Sequence, residues 1–311
     1  MNTLSKTAQP LPSNAAPNPV LRIERLSKRY NSFAMREISL AVEPGTIVGL
    51  VGSNGAGKTT LIKSILGIVH PDNGSIALFG EEVVGAPEQR LSALKQAIGI
   101  VLDACSFPDE CTVKTTARAM RNAYENWDDK LFWNLAEQFN LTEKALVKTL
   151  SRGMGMKLSL ACALAHRPRL LVLDEATAGL DPIARDEMLG LLRAFIAEDE
   201  SRAILLSSHI TSDLDKIADR VACIDAGKLI FDVERDAIDL AGVALCRATD
   251  VEAIERSRAY QPGELRFERI AYSTRVFVPN RFAFAEAFPA IPIEAIDVET
   301  YMHFMLKGAA L

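Results

Sequence analysis

The stretch Gly52-Ser53-Asn54-Gly55-Ala56-Gly57-Lys58-Thr59 is built to hold a phosphate. It meets the pattern G-x-x-x-x-G-K-S/T at every fixed position. Its glycines let backbone N–H groups curl around an anion with no side chain in the way. Lys58 sets a positive charge where the β- and γ-phosphates of a nucleoside triphosphate would sit. Thr59 offers a hydroxyl to Mg2+, and Thr60 can donate to a further phosphate oxygen. A second cluster follows in Leu170-Leu171-Val172-Leu173-Asp174-Glu175. There an apolar run ends in two carboxylates. Asp174 is placed to hold Mg2+ and Glu175 to polarise a water for attack on a γ-phosphate.

These residues need particular elements around them. Thr46 to Val51 is a short branched-apolar run, expected as a buried strand entering the loop. Leu61, Ile62, Ile65 and Leu66 recur at helical spacing, with Gly67 where a C-terminal cap would fall. A helix opening at the loop adds its N-terminal N–H groups and dipole to the phosphate site. Leu170 to Leu173 and Ala203 to Leu206 are continuous apolar runs, expected as buried parallel strands. In open α/β sheets ligands bind at the C-terminal strand ends, which is where Asp174 and Glu175 fall.

Elsewhere Val20 to Glu24 and Ile38 to Val42 alternate like strands, and Ser75 to Phe79 is a further short one. Val113 to Phe139 has few helix breakers, and Leu158 to His166 is expected as a helix stopped by Pro168. Val221 to Phe231, with Asp225-Ala226-Gly227-Lys228 at its middle, predicts a hairpin. Beyond Val233, β-like runs such as Arg275 to Val278 mix with helical pieces such as Arg281 to Phe288.

The composition is that of an ordinary soluble chain: 311 residues, 49% hydrophobic, 24% charged, formal charge -5. No basic excess points to nucleic acid. No run of about eighteen apolar residues predicts a membrane span. Five cysteines without a CxxC pair favour buried free thiols in a reducing compartment. Residues 1–19, rich in Ala, Asn, Ser and Pro, predict a disordered tail and lack the cationic start of a signal peptide.

Taken with their order in the chain, the two motifs resemble those of ATP-binding cassette (ABC) ATPases, the motor subunits of ABC transporters. Leu150-Ser151-Arg152-Gly153-Met154 is similar to the family signature Leu-Ser-Gly-Gly-Gln. Ser151 and Gly153 match; Arg152 and Met154 depart in a way that resembles exporters of peptide antibiotics and related drugs. The resemblance implies that this segment contacts the γ-phosphate of ATP held by an opposite subunit. Ser151 is equally suited to be a plain helix N-cap. Thr177 to Asp181 resembles the D-loop, which crosses the dimer interface. His209 matches the switch histidine that contacts the γ-phosphate. Tyr30 stands where the family stacks an aromatic on adenine, or it packs on its own sheet. The family usually carries a glutamine where Asp103 stands. Asp103 either binds Mg2+ or caps a loop.

The resemblance implies a P-loop α/β fold, the ABC nucleotide-binding domain, with an antiparallel β subdomain and a helical subdomain near Thr112 to His166. It places that domain over residues 20–234 and leaves 235–311 as a small α+β appendage. It implies ATP and Mg2+ as cofactors, hydrolysis by Glu175, His209 and Lys58, a second cassette and a separate transmembrane permease. It implies a cytoplasmic chain, peripheral on the membrane. The alternatives are a soluble ABC ATPase acting on ribosomes or DNA, and a non-catalytic nucleotide sensor motivated by Asp103, Arg152 and Met154.

Overall fold

The computed structural model describes residues 18–261, 263–270 and 273–310. Most of the tail expected over residues 1–19 lies outside them. Alternation from Leu21 becomes β1 (Leu21–Arg29), which pairs antiparallel with β2 (Ala34–Val42), Ile23 facing Leu40. Their inward residues Leu21, Ile23, Leu26 and Ile38 are fully buried, as one half-buried sheet face requires. A Pro-Gly turn leads to β3 (Ile47–Val51), buried at all five residues, and then to α1 (Lys58–Ile65). β4 (Asn73–Leu78) and β5 (Glu81–Glu82) return to the first sheet, in the order β2-β1-β4-β5.

After α2 (Glu88–Lys95) and β6 (Ile98–Val101) comes the helical region. The stretch expected as one helical region, 113–139, is two helices, α3 (Val113–Ala123) and α4 (Asp129–Gln138). Tyr124 turns extended, and Asp128 accepts from the Leu131 N–H at 2.9 Å to cap the second helix. Local capping thus interrupts a sequence without Pro or Gly. Phe132 is fully buried, with the rings of Trp127 and Trp133 at 5.3 and 4.9 Å. α5 (Arg152–Ala165) starts six residues before the expected Leu158, because Ser151 caps it.

The second sheet is completed by β7 (Leu170–Asp174), α6 (Pro182–Ala197), β8 (Ala203–Ser207), α7 (Thr211–Ile217), β9 (Arg220–Asp225) and β10 (Lys228–Glu234). Its order is β10-β9-β3-β8-β7-β6. β9, β3, β8, β7 and β6 run parallel, and β10 closes the expected hairpin antiparallel to β9. The C-terminal ends of β3, β7 and β8 therefore open side by side.

The chain then runs through α8 (Arg235–Leu240), β11 (Gly242–Cys246), α9 (Ala248–Ser257), β12 (Arg266–Ile270), β13 (Ser273–Val278), α10 (Arg281–Ala287), β14 (Ile293–Ala295), α11 (Val298–Lys307) and β15 (Ala309–Ala310). The third sheet is antiparallel in the order β14-β11-β13-β12-β15. β11 to β14 form a split βαβ unit, β-α-β-β-α-β with its strands ordered fourth, first, third, second: a ferredoxin-like arrangement. Residues alternate faces along its strands. Ala244, Val276 and Val278 meet Ile254 and Phe284 of α9 and α10, while Val243 and Phe277 meet Phe304 of α11. α11 is wedged between this sheet and the second one: the Tyr301 ring stands edge-on to Phe277 at 5.4 Å and to Phe231 of β10 at 5.0 Å. Among the described residues no helix is long and apolar enough to cross a membrane.

Candidate functional site

β3 delivers the chain into a loop that only glycine can form at its key points. Gly52 has φ +155°, and a Cβ there would lie 2.1 Å from the Ile224 carbonyl oxygen. Gly57, at φ +117°, admits the Phe33 ring, which a Cβ would meet at 2.9 Å. A Cβ on Gly55 would meet nothing within 4 Å, so this turn borders open space. Such a cradle suits a phosphate. Lys58 opens α1 and is buried. Its Nζ donates to the carbonyls of Gly52 at 2.7 Å and Ser53 at 3.4 Å, and lies 3.5 Å from Glu175 Oε1.

The loop is also held from a direction that the motif does not announce. Ser53 Oγ donates to Asp225 Oδ1 at 3.0 Å. Gly227 N–H donates to the Ala56 carbonyl at 3.0 Å, and the Gly227 carbonyl accepts from Arg36 N–H at 2.8 Å. The β9–β10 hairpin tip thus ties the loop to β2. Gly227 has φ +75°, and a Cβ there would stand 2.0 Å from the Ala34 carbonyl oxygen. The hairpin was legible in the sequence; its grip on the loop was not, because it depends on tertiary register.

β7 and β8 present the second half of the site. Asp174 pairs in register with Ser207, whose hydroxyl donates to Asp174 Oδ1 at 2.5 Å. Thr59 Oγ1 donates to Asp174 Oδ2 at 2.9 Å. Glu175 has φ +55°, a left-handed conformation that costs a non-glycine residue of order 1 kcal/mol. Its N–H donates to the Ser207 carbonyl at 3.1 Å, and its own carbonyl accepts from Ala178 N–H. His209 N–H donates to Glu175 Oε2 at 3.2 Å, and His209 Nδ1 meets the same oxygen at 2.5 Å. Residues 207 and 209 therefore grip one carboxylate each. Sequence alone singled out His209 but not Ser207, since a serine at a strand end carries no signal without its partner strand.

Mg2+ prefers oxygen ligands and takes few of them from protein when phosphates supply the rest. The adjoining Thr59 hydroxyl and Asp174 carboxylate fit that preference. Among the described residues no group of three His, Cys, Asp or Glu side chains forms a metal cage. Asp103 is not brought to the Thr59–Asp174 pair by any hydrogen bond of its side chain. It is exposed, and its backbone carbonyl accepts from Arg152 Nη2 at 3.2 Å.

The remaining expected residues lie outside the bonded cluster of Lys58, Glu175 and His209. Ser151 caps α5, its hydroxyl accepting from Met154 N–H at 3.2 Å. Gly153 allows the Leu180 side chain to approach, 3.3 Å from where a Cβ would be. Asp181 caps α6, accepting from the N–H groups of Ile183 at 3.1 Å and Ala184 at 3.0 Å. Those donors hold its carboxyl below the usual range, the Ala184 bond most strongly. Tyr30 lies in the tight turn between β1 and β2, with its N–H on the Phe33 carbonyl at 2.7 Å. Tyr30 is 43% exposed, with its ring centroid 6.5 Å from that of Phe33 and 5.9 Å from Lys28 Nζ.

Residues 35–178 match the family model described as ABC transporter. The chain is 33% identical over 222 residues to the bacitracin transport ATP-binding protein BcrA of Bacillus licheniformis, covering 70% of each chain. It is 35% identical over 238 residues to the methionine import ATP-binding protein MetN of Rhizobium johnstonii, covering 74% of this chain and 66% of that one. A solved structure described as the ATP binding subunit of an ABC transporter superposes with a TM-score of 0.64 at 26% identity, over 70% of this chain and 91% of the other. The chain belongs to the ABC transporter ATP-binding proteins, as an ATP-binding and ATP-hydrolysing subunit.

Proposed function

We propose that this chain is the motor of an exporter whose membrane-spanning subunit is a separate chain, and that two cassettes close head to tail around two ATP molecules. One supplies Lys58, Thr59, Asp174, Glu175 and His209 to a given ATP, and the other supplies Ser151 and Gly153. Tyr30 stacks on the adenine. The residues at 52–60 hold the phosphates, and Asp181 sets the turn that crosses the interface. The observation that carries this reading is the meeting of Lys58, Glu175 and His209 at the ends of three adjacent elements.

Glu175 takes the proton of a water as the water oxygen bonds to the γ-phosphorus. The bond from phosphorus to the β–γ bridging oxygen breaks, leaving ADP and inorganic phosphate. Lys58 offsets charge on the phosphates, and His209 contacts the γ-phosphate through the exposed side of its ring. Thr59 and Asp174 are the residues that would hold a Mg2+ ion, which would offset charge on the phosphate oxygens. Positioning and charge stabilisation do most of the work.

Export of a drug, peptide antibiotic or similar compound is supported by the Ser-Arg-Gly-Met form of the signature and by the likeness to BcrA, named for bacitracin transport. MetN, named for methionine import, shares a comparable fraction of residues, so direction rests mainly on the signature. The chain is placed peripherally on the cytoplasmic face of the membrane, against its permease. Residues 20–234 act as the ATPase unit, and 235–311 as packing support. The test is purified ATP turnover with Lys58→Ala as control, together with capture of the chain from detergent-solubilised host membranes. Turnover abolished by Lys58→Ala and a polytopic partner in the capture support the proposal. Turnover indifferent to Lys58, or recovery only in soluble complexes, overturns it.

A further inference from the structure

The two positions at which this chain departs most from the usual signature and the usual glutamine touch each other. Arg152 stands where the family signature has glycine, and its Nη2 donates to the carbonyl of Asp103 at 3.2 Å. The same guanidinium lies over Gly179, where an added Cβ would meet its Nε at 3.2 Å and its Cζ at 3.4 Å. The next residue, Gly153, seats Leu180. On the far side Arg185 Nη2 donates to the Leu180 carbonyl at 3.2 Å, and Arg185 Nε lies 3.9 Å from Asp213, a fully buried carboxylate. The Gly179–Leu180 turn is therefore held between one arginine from α5 and one from α6.

We propose that Arg152 is a positioning residue that ties the Asp103 segment and the 177–181 turn to the start of α5, so that the three move as one body. A planar guanidinium can hydrogen-bond at one edge while its stem and face pack on backbone. Glycine at this position supplies neither contact. Gly179, at φ +75°, presents bare backbone to the guanidinium, which is what allows so close an approach. The consequence rests on the dimer reading above: placement of the 177–181 turn, and with it hydrolysis, becomes sensitive to whatever bears on Asp103.

The experiment uses the full chain with Arg152→Gln and Arg152→Lys. Amide hydrogen exchange is measured without nucleotide, where no opposite phosphate contributes. The amides of Ala178 and Leu180, bonded to the carbonyls of Glu175 and Thr177, and those of residues 102–106 are expected to exchange at least about fivefold faster in Arg152→Gln. Residues 52–60 should keep wild-type rates, and Arg152→Lys should recover only part of the protection. In turnover assays kcat should fall about tenfold with KM for ATP within about twofold. Unchanged exchange in either segment overturns the tie even if kcat falls, because Arg152 would then act only across the interface. Failure of the motor reading shows separately, as turnover indifferent to Lys58→Ala, while the exchange result needs no ATP.

Discussion

His209 holds one oxygen of Glu175 with two of its own atoms, the backbone N–H at 3.2 Å and ring Nδ1 at 2.5 Å. A carboxylate accepts, so Nδ1 carries the proton, and Nε2 is left toward the half-exposed side of the ring. The histidine thereby aims the base. Replacing it with alanine keeps the backbone bond and loses the ring bond. His209→Ala is expected to lower kcat about 10- to 100-fold with ATP affinity within about threefold, by steady-state turnover and equilibrium nucleotide binding. Wild-type kcat would remove the ring from the mechanism.

Glu175 is the group expected to take the proton, and its backbone is fixed in a left-handed conformation by bonds to Ser207 and Ala178. Gln at this position keeps the size and an acceptor but cannot take a proton from water. Glu175→Gln is expected to cut turnover about 10²- to 10⁴-fold while retaining ATP. Light scattering after size exclusion should then show ATP-dependent dimers that persist. Turnover within a few fold of wild type would assign the base elsewhere.

Thr59 donates to Asp174, a carboxylate that a phosphate-bound Mg2+ would find beside a hydroxyl. Thr59→Val removes the oxygen and keeps the branched shape. The Mg2+ concentration for half-maximal turnover is expected to rise at least about tenfold, read by titrating the metal at saturating ATP. An unchanged midpoint would mean that Asp174 and water suffice.

These contacts mark the boundary of what the sequence discloses. The loop, the Asp174–Glu175 pair, His209 and the parallel strands beneath them were legible, because glycine spacing and continuous apolar runs are local signals. The break between α3 and α4 was not, because α3 stops where Tyr124 turns extended and α4 starts only at the side-chain cap of Asp128. Ser207 and Asp225 were missed because each acts through a partner far along the chain, on a neighbouring strand or across a turn. The split βαβ order of β11 to β14 was hidden for a similar reason: its strands are short, and only pairing reveals their sequence in the sheet.

Gly227 gives that hidden geometry a direct test. Its positive φ and the 2.0 Å approach to the Ala34 carbonyl leave no room for a methyl group, so Gly227→Ala must shift the hairpin tip off Ala34 and disturb its bond to Ala56. The phosphate loop then loses the bond that Gly227 N–H supplies. Thermal unfolding should show a loss of more than about 1 kcal/mol, and ATP affinity should weaken at least about fivefold. Gly85→Ala, also at positive φ but with open space around it, is the control for strain alone. Equal effects of the two substitutions on ATP affinity would rule out a special role for the hairpin tip.

Asp215 joins α11 to α7, the helix that follows His209. Its Oδ1 accepts from Val298 N–H at 3.0 Å and lies 3.3 Å from Arg235 Nη1. Burial pushes its pKa above the ordinary carboxylate value of 3.8, outweighing the Val298 bond and the Arg235 charge that pull it down. The folded state therefore binds this proton more tightly than the unfolded chain does. Stability from that proton is fully present below the unfolded value and is lost as pH rises through the folded one. Asparagine keeps an acceptor for Val298 and has no charge to bury. The melting temperature of Asp215→Asn, taken relative to wild type, is thus expected to be more favourable at pH 7.5 than at pH 4, by scanning calorimetry in the same salt. A difference of the opposite sign would show that attraction to Arg235, not burial, dominates at this joint, and that α11 is held to the ATPase sheet chiefly by charge.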